Sequence, residues 1–81
     1  MTQKLLRFTA SWCKPCQSLA KALEQAELSI PIEVIDIDVH PELLDEYGIR
    51  GVPTMVLLPQ RATLVGAKTS KEISDWVKQV S

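Results

Sequence analysis

Trp12-Cys13-Lys14-Pro15-Cys16 holds both cysteines of the chain, between the short apolar run Leu5-Leu6-Arg7-Phe8 and an amphipathic stretch. Two intervening residues let the sulfurs meet. A strand-to-helix junction at this point is expected to expose the first thiol and turn the second inward. A bridge across so short a loop removes little unfolded-chain entropy, so stabilisation alone explains it poorly. In an intracellular protein such a pair reads as redox-active or metal-binding.

Working outward, Lys4 to Ala10 carries Leu5, Leu6 and Phe8, a length that suits a buried strand better than a core helix. After the cysteines the period changes. Cys16, Leu19, Ala20, Leu23 and Ala26 recur at spacings of three and four, with Lys21, Glu24 and Gln25 off that stripe. Pro15 fits the first turn of such a helix, where its missing N–H has no partner to lose. Residues 32–38, Ile-Glu-Val-Ile-Asp-Ile-Asp, are rich in β-branched side chains at both parities, which predicts a strand covered on both faces. Pro41 to Tyr47 reads as a short helix with Leu43, Leu44 and Tyr47 as core contacts and Gly48 as its C-terminal cap.

Thr54-Met55-Val56-Leu57-Leu58 is a further strand, and Pro59-Gln60-Arg61 turns it into Ala62-Thr63-Leu64-Val65, a hairpin ending at Gly66. The last helix is marked by a capping box, Thr69 with Glu72, and by the stripe Ile73, Trp76, Val77 and Val80. The resulting order, β-α-β-α-β-β-α, predicts an α/β fold: a four-stranded mixed sheet flanked by three helices. The first crossover should place its two strands side by side and parallel.

The chain has 81 residues, enough for one domain. Its net charge of -1 includes no basic stripe, so neither nucleic acid nor an anionic membrane is an expected partner. Arg7, Glu33, Asp36 and Asp38 interrupt the longest apolar windows, and the start Met1-Thr2-Gln3-Lys4 does not resemble a secretory leader. A cytoplasmic location is expected. His40 and the two cysteines supply at most three zinc ligands, short of a complete structural set, so no metal is expected.

The chemistry of the pair follows from the thiolate, which is the species that attacks a disulfide. Cys13 should be assisted by unpaired amides at a helix N-terminus, by the helix dipole and, more weakly because of screening, by Lys14. Cys13 would then form a mixed disulfide with a substrate, and Cys16 would displace it. Pro15 stiffens the connection. Trp12 can shield the sulfurs and offer a flat apolar contact. Gly51-Val52-Pro53-Thr54 marks a turn before a buried strand, where a proline cannot donate a ladder bond.

Taken together, Phe8-Thr9-Ala10-Ser11-Trp12-Cys13-Lys14-Pro15-Cys16, Ile37-Asp38 followed by Pro41, Tyr47-Gly48-Ile49-Arg50-Gly51-Val52-Pro53-Thr54 and Val65-Gly66-Ala67 resemble the thioredoxin family, in the family's order. The resemblance implies a minimal thioredoxin fold over residues 1–81, a single domain lacking the usual N-terminal strand and helix. It also implies a protein disulfide reductase with Cys13 as exposed nucleophile and Cys16 as resolving cysteine. Pro53 would be a cis-proline facing them, and the Val52 backbone would pair with an extended substrate segment. Trp12, Lys14, Pro15, Gly51, Gly66 and Ala67 would complete the substrate groove. Disulfide-containing client proteins and a flavin-containing thioredoxin reductase are the implied partners of a monomer that carries no cofactor of its own.

Three positions depart from the family pattern. Arg7 stands where a buried aspartate is usual, Lys14 where glycine is usual, and Val34 where a lysine is usual. Arg7 cannot act as a carboxylate base, and with Lys14 it becomes a candidate modulator of the thiol pKa, unless it pairs with Asp36 or extends to solvent. Two other functions stay open at this level. One is a glutaredoxin-like, glutathione-dependent reductase, although Gly66-Ala67-Lys68-Thr69 lacks the carboxylate expected to bind the glutathione amine. The other is a binding module regulated by the state of the dithiol.

Overall fold

The computed structural model describes residues 2–80. Its elements are β1 (Lys4–Thr9), α1 (Lys14–Ala26), β2 (Ile32–Asp36), α2 (Glu42–Tyr47), β3 (Thr54–Leu58), β4 (Ala62–Val65) and α3 (Ser70–Val80). The strands form one mixed sheet in the order β2-β1-β3-β4. β1 runs parallel to β2 with Arg7 opposite Val34, and antiparallel to β3 with Arg7 opposite Met55. β3 and β4 form the antiparallel hairpin.

Helices cover both faces of the two central strands, which explains why β1 and β3 are apolar at both parities. On one face Leu5, Met55 and Leu57 pack with Leu19, Ala22 and Leu23 of α1 and Ile73 of α3. On the other, Leu6, Phe8, Ile35 and Val56 pack with Ile49 and with half-buried Leu43, Leu44 and Tyr47 of α2. The stripe read for α1 is shifted slightly: Ala22 is buried, whereas Ala20 and Ala26 are only half-buried.

β2 departs from its sequence reading in two ways. It is an edge strand, so Ile32 and Val34 are 39% and 54% exposed and only Ile35 is buried. It also ends at Asp36 instead of continuing to residue 38. The Asp36 carboxylate oxygen Oδ1 accepts the Asp38 N–H at 2.9 Å, and its carbonyl accepts the N–H groups of Val39 and His40. These local bonds compete with strand continuation and turn the chain toward α2.

α2 begins at Glu42, with Pro41 as N-cap and no side-chain capping bond, so neither His40 nor Asp38 caps it. It ends on Gly48 at φ 65°, a left-handed position suited to glycine. At the hairpin end of the sheet, Arg61 donates to the Glu46 carbonyl at 2.7 Å and stacks on Tyr47 at 4.7 Å, fastening the turn to α2.

The capping box of α3 forms as read. Glu72 N–H donates to Thr69 Oγ1 at 3.2 Å, and Thr69 N–H donates to Glu72 Oε1 at 3.0 Å. The backbone bond from Thr69, followed by the bond from its hydroxyl, holds the Glu72 carboxyl below its ordinary range. Glu72 therefore contributes to stability above its unfolded-state pKa, and that contribution is lost as pH falls through the lower folded value. Thr69→Ala should cost about 1 kcal/mol in urea unfolding at neutral pH. The destabilisation caused by Glu72→Gln should shrink as the same measurement is taken into acid.

Candidate redox site

The cysteines sit at the junction of β1 and α1. Cys13 is the N-cap of α1, with extended backbone at φ -97° and ψ 105°. Its sulfur accepts the Cys16 N–H at 3.2 Å, taking the part that a hydroxyl or carboxylate oxygen plays at most helix starts. Pro15 occupies the first turn, where no intrahelical donor is required. Cys13 N–H donates to the Ala10 carbonyl at 3.1 Å, closing the turn that leads out of β1. The two sulfurs are bonded to one another, with Cα atoms 5.3 Å apart.

In this disulfide state the first cysteine is not exposed, contrary to the sequence expectation. Cys13 is 3% accessible and Cys16 1%. The bridge holds the pair against Ala10, and Ile37 and Val52 pack over it. Trp12 does not provide this cover. Its ring is 66% exposed and anchored by an indole N–H bond to Asp38 Oδ2 at 3.1 Å, so it stands beside the pair as a fixed apolar surface. Lys14 and Pro15 are also exposed.

The loop before β3 meets this junction. Val52-Pro53 is a cis peptide, as the family resemblance implies, and Val52 reaches the disulfide cluster. A second cis bond, Leu58-Pro59, has no counterpart in the sequence reading. The Thr54 hydroxyl donates to the Gly51 carbonyl at 2.8 Å, and Gly66 N–H donates to the Pro53 carbonyl at 2.9 Å. Gly66 has φ 92°, where a side chain would be strained. The segments around residues 12–16, 51–54 and 66 are thus joined at one end of the sheet. Ile37 and Asp38, quoted above only as part of the family resemblance, belong to the same place: Ile37 packs on the disulfide cluster and Asp38 holds the Trp12 indole. The sequence pattern places both at the end of the 32–38 strand and assigns neither a contact with the cysteines.

Arg7 lies half-buried on β1, and loss of water around its guanidinium lowers its pKa from the usual value. Its guanidinium forms no ion pair with Asp36 and no hydrogen bond among the described residues. It lines two clefts of about 260 Å³ each. One is apolar, with Leu23, Ile32 and Val34 in its walls; the other contains Cys16, Thr9, Gln17 and Asp36. Among the described residues, no three His, Cys, Asp or Glu side chains gather as a metal site would require. No described helix is long and apolar enough to cross a membrane.

The Thioredoxin family model matches residues 1–79. A thioredoxin from Rhodospirillum rubrum is 35% identical over 78 residues, covering 88% of this chain and 75% of that protein. Among solved structures, a mutant thioredoxin from Halobacterium salinarum NRC-1 superposes with a TM-score of 0.86 at 31% identity, over 96% of this chain and 74% of its own. A chloroplastic thioredoxin z gives a TM-score of 0.81 at 32% identity, over 98% and 78% respectively. With a dithiol pair at the start of α1 and relatives of this kind across nearly its whole length, the chain belongs to the thioredoxin family and is a thiol-disulfide oxidoreductase, a protein disulfide reductase.

Proposed function

We propose that Cys13 is the nucleophile and Cys16 the resolving cysteine. The observation that carries this assignment is the Cys16 N–H bond to Cys13 Sγ at the start of α1. An amide donor and the positive end of the helix both favour negative charge on Cys13. Cys16 lies one turn further in and is the more deeply buried of the two. In the reaction, the Cys13 thiolate attacks a client disulfide and releases one client thiolate. Cys16 then attacks Cys13, the mixed disulfide breaks, and the second client thiolate leaves as the Cys13–Cys16 bond forms. Two electrons have passed from the protein to the client.

An extended client segment would pair with the Val52 backbone beside Pro53. Trp12, Lys14, Pro15, Gly51, Gly66 and Ala67 would frame the surrounding groove. The fixed ring of Trp12 and the joined 51–54 and 66 segments support this reading. Thioredoxin reductase is the proposed electron donor, and residues 1–81 are read as one thioredoxin-like unit acting as a monomer in the cytoplasm. Arg7 is assigned as a modulator of the pair, since it is the cation lining the cleft that contains Cys16. Lys14, fully outside, contributes only a screened field.

Insulin reduction in dithiothreitol should fall to the uncatalysed rate in Cys13→Ser, and limiting iodoacetamide should alkylate Cys13 of the reduced protein before Cys16. Labelling of Cys16 ahead of Cys13 would reverse the assignment of roles, and equal labelling would overturn the preference for Cys13. Arg7→Asp should raise the pKa of the pair in a thiolate-absorbance titration, because a nearby cation favours the thiolate and a carboxylate opposes it. An unchanged titration would remove Arg7 from the site.

A further inference from the structure

Resolution requires Cys16 to shed its proton, yet this side chain is 1% accessible and the first-turn amide is directed at Cys13. Its own surroundings must therefore determine where the proton goes. The cleft of about 260 Å³ beneath the first turn of α1 has Cys16 and Gln17 on one side, Arg7 and Thr9 from β1, and Asp36 at the end of β2. Room for several water molecules is available, at about 30 Å³ each. Among the described residues lining it, Asp36 is the one carboxylate and Arg7 the one cation. Asp36 commits Oδ1 to the Asp38 N–H, leaving Oδ2 available.

We propose that Asp36, acting through water in this cleft, accepts the proton of Cys16 during the resolving step. This rests on the assignment of Cys16 as resolving cysteine. The Cys16 S–H bond breaks and its proton passes through water to the Asp36 carboxylate. The resulting thiolate attacks Cys13 Sγ, the Cys13–client bond breaks, and the client sulfur leaves with the electron pair and takes a proton from solvent. Asp36 then returns its proton to bulk water. Arg7 supplies the compensating charge that lets a carboxylate and a new thiolate share one cleft. The remaining carboxylates near these groups are occupied or lie elsewhere: Asp38 is held by the Trp12 indole, and Glu24 lines the neighbouring apolar cleft.

Stopped-flow mixing of the reduced protein with one equivalent of dithiobis(nitrobenzoate) separates the two steps. Attack by Cys13 releases the first coloured thiolate and resolution by Cys16 the second. Asp36→Asn and Asp36→Ser both keep an acceptor for the Asp38 N–H while removing the base. Each should leave the first phase unchanged and slow the second by about tenfold or more near neutral pH. The difference should vanish in alkaline solution, where Cys16 ionises unaided. A second phase equal to wild type at every pH, or a slowing that persists undiminished into alkali, overturns the role of Asp36. Cys16→Ser tests the underlying assignment separately: it should release only the first thiolate, and release of both would overturn the resolving role itself.

Discussion

The two-sided burial of β1 is the constraint from which the site follows. Leu5 and Phe8 face opposite layers and both are fully inaccessible, so the strand has little freedom to slide or rotate. A shift of one residue would exchange the two faces and bring Arg7 into the core. With β1 locked in this way, the turn after Thr9 delivers Cys13 to the start of α1, and the packing of Leu19 and Leu23 fixes the direction of that helix. The reactive pair thus inherits its position from apolar contacts in which neither sulfur takes part.

Much of this organisation was legible in the amino-acid order because it depends on local periodicity. The spacing of Leu19 and Leu23, the reciprocal partners Thr69 and Glu72, and the apolar run at Thr54–Leu58 each describe an element by themselves. Lateral order is different in kind. Nothing in Ile32-Glu33-Val34 separates a central strand from an edge strand, since the distinction depends on what lies beside it. The strand was therefore expected to have two covered faces and has one. Its early end had a local cause, the Asp36 side chain bonding two residues ahead, but the same carboxylate could equally have faced solvent.

The site shows the same division. The pair, its proline and the cis-proline loop were identified by motif, and the geometry brings them together. Contacts between distant segments were not: Trp12 and Asp38 are 26 residues apart, and Ile37 reaches the disulfide only because the chain turns after β2. Cys13 was expected to be open because a nucleophile must be reachable. In the disulfide-bonded structure it lies instead under Val52 and Ile37. Burial in the oxidised state and reactivity in the reduced state concern two different covalent species, and residue order alone does not separate them.

The open flank of the sheet has a consequence for solubility. An uncovered strand displaying Ile32 and Val34 is a template onto which another strand could add. Between these residues, on the opposite face, Glu33 forms an ion pair with Lys4 of the adjoining strand, both of them half in water. An incoming chain would have to strip hydration from these charges before completing its ladder, and Pro31 immediately upstream has no N–H to extend one. Two charged side chains and a proline thus discourage lateral growth on the side where no neighbouring strand stands among the described residues.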